Sequence, residues 1–244
     1  MINHEFNIYC ACISTNRPEN IKKIEDNTGL KFTFYTKKNE KQTYLNYGAT
    51  NVVEVDGNIC KARNKAILDS KNLICLQISD DYQYCNLIHG EKGNYLRTKI
   101  TFKKALAFML NNFIKIDKCN LAGVSITDSI LHYTGKPISL NQLVVNDCIL
   151  IRNKIEYDEF ADLKEDYDMY VTQIKSGYTI MRFDCLQMKF PHRNNKGGAN
   201  DYRTIEKEKI CNSYVISKHN GILEPHSKRL NQIQINKKKL YENN

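Results

Sequence analysis

The stretch LICLQISDDYQY, Leu73 to Tyr84, decides the fold. Its first six residues form an apolar run of the length expected for a buried strand. That run ends in Ser79-Asp80-Asp81, two adjacent carboxylates where a core strand would otherwise turn back. In a parallel sheet the pattern has a reason, because ligands collect at the carboxyl ends of the strands. The alternative is a helix cap or a solvated acidic loop, and the segment alone does not choose.

The flanking sequence favours the sheet. Ile8 to Ile13 is a β-rich run, followed by the loop Ser14-Thr15-Asn16-Arg17-Pro18 and a short helical stretch from Glu19. Leu30 to Thr36 and Asn51 to Val55 give two more strands, the latter closed by the turn Asp56-Gly57-Asn58. Ile59, Ala62, Ala66 and Ile67 then fall on one helical face, with Asn58 as N-cap. This rhythm predicts an α/β domain with a mixed, mostly parallel sheet flanked by helices. Ser14 to Arg17, Asp56 and Ser79 to Asp81 all follow strands and so belong to one rim.

Beyond it, residues 99–115 have the spacing of an amphipathic helix, and LAGVSIT, 121–127, reads as a strand. Residues 141–153 give two β segments, Glu165 to Tyr178 a helix stopped by Gly177, and residues 179–190 a strand. Residues 191–203 form a polar, Gly-containing loop, and the tail with Lys237 to Lys239 reads as helical or frayed. With no repeat and no linker, one domain is expected over 1–244. Its first half covers about 1–95, its second about 96–205, and a basic extension 206–244.

Hydrophobic residues at 41 % and charged residues at 26 % are ordinary for a soluble globular protein. No apolar run approaches the roughly 20 residues that span a bilayer, and the N-terminus lacks a signal-peptide pattern. A cytoplasmic address and no membrane partner are expected. The nine cysteines are odd in number and scattered, which predicts reduced, buried thiols. Cys10 and Cys12 face one side of their strand. The net charge of +9, carried by 28 lysines against 8 arginines, fits a polyanion partner. It also fits a solvated basic surface written by an AT-rich genome.

Two carboxylates at a strand end suit a hard cation such as Mg²⁺ or Mn²⁺, usually shared with substrate phosphates. The series of strand, Arg-containing helix and LQISDD resembles the nucleotide-sugar half of GT-A glycosyltransferases, whose acidic element holds a divalent metal on the donor diphosphate. Ser79 stands at the first acidic position of that element. The resemblance implies Asp81 as metal ligand and Asp80 as a contact to the donor ribose or sugar. The segment around KEDYDMYVTQIKSGY is similar to the acceptor side of inverting GT-A enzymes, which implies Asp166 as catalytic base with Glu165 beside it. An alcohol is a poor nucleophile at neutral pH, so such a base is chemically required. The plain alternative is that Asp166 caps its helix. His192, 26 residues after Asp166, matches the late histidine that completes the metal shell in many GT-A enzymes.

The same resemblance assigns the donor nucleotide to Ser14, Thr15, Arg17, Asp56, Arg63 and Asn64. It assigns the diphosphate to Arg193, Lys196, Gly197, Gly198 and Arg203. Taken together, GATNVVEVDGNICKARNKAILDS, CLQISDD, KEDYDMYVTQIKSGY and HRNNKGGANDYR resemble the TET-associated glycosyltransferases of phages and related viruses. The likeness runs from about Ile8 to Arg203. It implies transfer of a sugar, from a UDP-sugar with Mn²⁺ or Mg²⁺, to hydroxymethylcytosine or hydroxymethyluracil in double-stranded viral DNA. It also implies a GT-A fold, unlike the GT-B fold of other phage DNA glucosyltransferases. A glycan or protein acceptor, or an inactive nucleic-acid-binding module, are the rival readings.

Overall fold

The computed structural model describes residues 1–91, 93–125, 130–152, 155–191 and 201–242. The first half runs β1 (Ile2–Asn3), β2 (Ile8–Ile13), α1 (Asn20–Thr28), β3 (Thr33–Lys37), α2 (Lys41–Asn46), β4 (Asn51–Val55), α3 (Ile59–Asp69) and β5 (Ile74–Ser79). Then come β6 (Tyr84–His89), β7 (Leu96–Ile100), α4 (Phe102–Phe113), β8 (Cys119–Val124), β9 (Ile138–Leu140) and β10 (Cys148–Ile151). The remainder is α5 (Glu165–Lys175), β11 (Thr179–Phe183), β12 (Leu186–Lys189), α6 (Ile205–Lys218), β13 (Leu223–Pro225), β14 (Ile233–Ile235) and α7 (Lys237–Tyr241).

The main sheet has the order β4-β3-β2-β5-β10-β8-β11-β9, with β1 on β2. β4, β3, β2, β5, β8 and β11 point one way, while β10, β9 and β1 oppose them. This is the expected mixed, mostly parallel sheet. Strand β2 shows why it sits at the centre. Ile8, Cys10 and Cys12 enter one apolar cluster with Ile21 and Ile24 of α1 and Phe102, Leu106 and Met109 of α4. Tyr9 and Ala11 enter the other, with Cys60, Ala66 and Ile67 of α3 and Met169, Val171 and Ile174 of α5. A strand covered on both faces reads as a near-continuous apolar run, as this one does.

Several sequence expectations change in detail. The helix expected from Lys99 begins at Phe102, because Lys99 and Ile100 belong to β7 and Thr101 caps the helix through Lys104 N. Residues 141–153 hold one strand and not two. Asn141 lies in the left-handed region, φ 54°, and residues 146–147 form a turn. The run 179–190 is broken at Asp184, which takes Arg182 Nε at 2.6 Å, and its halves join different sheets. β12 pairs with β6, and β6 with β7, in a second, antiparallel sheet. The tail is not frayed: Val215, Leu223, Ile233 and Leu240 are buried in the second cluster. Among the described residues, no helix is long and apolar enough to cross a membrane. All nine cysteines are buried and free.

Candidate active site

The rim at the carboxyl ends of β2 and β5 carries the first acidic pair. Asp80 is 1 % exposed. Ser14 Oγ donates to its Oδ2, and Tyr44 OH lies 2.6 Å from Ser14 Oγ and accepts Arg17 N at 3.2 Å. Arg17 Nη1 reaches Asp80 Oδ1 at 3.1 Å and Asp81 Oδ2 at 3.4 Å. Burial pushes the Asp80 carboxyl up to about 7, against the pull of Arg17 and Ser14. Asp80 is thus the buried post of the β2 loop, and Asp81 is the more open of the two.

The second pair opens α5. Glu165 and Asp166 are half-buried at its first turn. Lys164, and not Asp166, is the N-cap residue, while Asp166 Oδ1 accepts Tyr167 N at 2.9 Å. Arg63 Nη2 lies 3.8 Å from Glu165 Oε1. Desolvation, then the neighbouring Asp166, push Glu165 up to about 7, and Arg63 opposes them. Asp166 is also raised, chiefly by burial.

Two links bring the pairs to one rim. Ser79 N donates to Asp147 O at 2.8 Å, and Asp147 is close enough to Asp166 to disfavour its charge. Arg63 Nη1 also donates to Gln77 Oε1 at 3.2 Å, and Gln77 Nε2 returns to Arg63 O at 2.9 Å. Gln77 was a visible signal, a fully buried amide inside an apolar strand. Tyr44, Asn146 and Asp147 had none, since their parts depend on segments far away in the chain.

The other expected site residues spread more widely. Asn64 commits both amide atoms to the Tyr157 backbone, at 2.8 and 2.7 Å, so it ties α3 to that segment. Thr15 is half-buried in the β2 loop. Asp56 is exposed near Lys38, at 3.8 Å. Arg203 pairs with Glu208 at 3.7 Å at the start of α6. Next to it, Asp201 accepts Asn16 Nδ2 at 2.8 Å and Tyr202 OH lies 3.3 Å from Asp162 Oδ1, which returns the chain to the β2 rim. His192, Arg193, Lys196, Gly197 and Gly198 lie outside the described residues.

Among the described residues, two buried donors beside the acidic pairs have no hydrogen-bond partner, Arg17 Nε and Arg63 Nε. Orphaned polar atoms also occur away from the rim, at Asn120 and Gln187, so position gives these two their meaning. Unmet donors in a cleft suit an oxygen-rich, anionic ligand. Among the described residues no cluster of three His, Cys, Asp or Glu could hold a metal. Asp81 offers a carboxylate to a hard cation whose other donors come from phosphate and water, the usual arrangement for such ions. A metal shared with a diphosphate therefore fits the donor set.

No curated protein matches the chain. Among solved structures, it is similar to a cytidylyltransferase from Leptospira borgpetersenii at 10 % identity, over 87 % of this chain and 89 % of that one, with a TM-score of 0.47. It is also similar to a protein described as a glucose-1-phosphate thymidylyltransferase from Bacillus anthracis. That match has 10 % identity over 86 % and 83 % of the two chains, with a TM-score of 0.32. Likenesses this distant carry no argument about chemistry. The TET-Associated Glycosyltransferase family model is different in kind: it matches residues 11–198, taking in both acidic pairs and the elements that carry them, and the chain belongs to that family.

Proposed function

We propose that the protein transfers a sugar from a UDP-sugar to the hydroxymethyl group of hydroxymethylcytosine or hydroxymethyluracil in double-stranded DNA. The observation that carries this reading is the convergence of two acidic pairs, Asp80-Asp81 and Glu165-Asp166, on one rim through Asp147 and Arg63. The donor nucleotide lies along the ends of β2 and β5, with its diphosphate toward Arg17. Asp81, together with His192, would hold Mn²⁺ or Mg²⁺, which would offset charge on the departing diphosphate. Asp166 removes the proton of the acceptor hydroxyl. Its oxygen forms the new bond to the anomeric carbon, and the old bond leaves with its electron pair on UDP.

Raised carboxyls suit that base. A group that titrates near working pH combines a usable basic form with a real drive for proton transfer. The net charge of +9 favours DNA over a neutral glycan as acceptor. The test is transfer from a panel of UDP-sugars to hydroxymethylated DNA, read by nucleoside mass spectrometry with Mn²⁺ and then with EDTA. A gain of one hexose that EDTA abolishes is expected. Asp166→Asn should lower the rate about 10²–10⁴-fold. No gain on any DNA, with metal-dependent donor hydrolysis intact, would discard the DNA acceptor.

A further inference from the structure

The β13–β14 hairpin exposes Ser227, Lys228, Arg229 and Leu230 at its tip, and Leu230 is 91 % exposed. The rest of the hairpin is well anchored. Leu223 pairs with Ile235 and Pro225 with Ile233, and Leu223 and Ile233 are buried. His226 N donates to Gln232 O at 2.8 Å, Asn231 takes the left-handed turn position at φ 57°, and Asn212 Nδ2 of α6 holds Asn231 O at 3.0 Å. Leu230 therefore stands out from a fixed support, where it adds nothing to the core.

The helix that holds the tip also braces the catalytic turn: α6 grips Asn231 through Asn212, and at its end His219 Nε2 meets Asp168 Oδ1 of α5 at 2.7 Å, two residues beyond Asp166. Arg229 has Gln232 at 3.5 Å, and neither it nor Lys228 forms an ion pair among the described residues. Two cations next to a protruding leucine, on a rigid support and a chain of +9 charge, complement one surface well. Duplex DNA offers phosphates on either side of an apolar base stack.

We propose that the hairpin tip is a wedge for duplex DNA, with Leu230 entering the base stack to hold the target nucleotide toward Asp166 and Lys228 and Arg229 gripping the flanking phosphates. This rests on the DNA acceptor of the preceding reading and deepens it. An apolar side chain inserted between base steps unstacks and kinks a duplex. Enzymes that act on a base commonly take it out of the stack. The hairpin lies outside residues 11–198, so the family match says nothing of it.

The experiment uses the whole chain and a duplex bearing one hydroxymethylcytosine next to 2-aminopurine, with the same strand unpaired as comparison. On binding the wild type, 2-aminopurine fluorescence should rise as its neighbour unstacks. In L230A that rise should vanish, and the ratio of duplex to single-strand transfer should fall about tenfold or more. In K228Q/R229Q the slope of log affinity against log salt should flatten by about 2, since each phosphate contact contributes about 0.9. Wild-type transfer with an unchanged ratio and fluorescence in L230A overturns the wedge alone. A wild type silent on every DNA overturns the acceptor reading, and the wedge with it.

Discussion

Arg63 is the side chain to which the structure adds most. The family resemblance assigns it to the nucleotide; in the structure it is 4 % exposed and sits between Gln77, the Tyr157 ring and Glu165. A cation there favours the charged form of Glu165, while burial disfavours it. The sign follows directly. Glu165 binds its proton more tightly folded than unfolded, so its contribution to stability is full below about pH 4.5 and is lost as pH rises through about 7. Activity runs the other way, because the acidic pair must ionise to accept a proton. The pH–rate profile should therefore show a rising limb above the ordinary carboxylate range, since burial raises both members of the pair. Arg63→Met should move that limb to higher pH, and Arg63→Lys should partly restore it. A limb that stays in place would separate Arg63 from the base.

Among the elements, α4 shows how local and distant residues share one task. The amphipathic spacing put its start at Lys99, while the structure starts it at Phe102, where Thr101 caps it. Its end draws on a residue far along the chain. Arg152, 38 residues beyond Ile114, donates to the carbonyls of Phe113, Ile116 and Asp117 and stacks over the Phe113 ring at 5.0 Å. A cation at a helix C-terminus satisfies orphan carbonyls and opposes the dipole. Arg152→Met should cost about 1–3 kcal/mol, the range for hydrogen bonds to charged groups, read by denaturant unfolding with unchanged m. The neighbour of β8 was equally hidden. Gly123 in β8 admits no side chain, for a Cβ would lie 2.9 Å from Ile149 and 3.2 Å from Cys148 O of β10. Nothing in its own segment announces that neighbour.

At the scale of the whole molecule, nine buried free thiols make a global probe of packing. Burial pushes Cys10, Cys75 and Cys85 each up to about 12, so little reactive thiolate exists at neutral pH. Under native conditions an alkylating reagent should label none of the nine quickly. All nine should become reactive together across the unfolding transition, counted by intact mass; early labelling of a subset would mark a region that opens on its own. Burial of these residues was legible, as were β2, β4, β5 and the core of α3. Each is set by a periodicity within a dozen residues, and side chains alternate or spiral by fixed geometry whatever surrounds them. The acidic pairs were legible as candidates for the same reason, adjacent in the chain and placed at element ends. What only the tertiary structure decided is how those pieces meet. Arg63 faces Glu165, Asn64 grips Tyr157, and Asp168 of α5 meets the buried His219 at 2.7 Å, all between segments far apart in sequence. A hydrogen bond or ion pair has a reach of a few ångströms and leaves no period in the chain. Only packing of the sheet and its helices can bring such partners together.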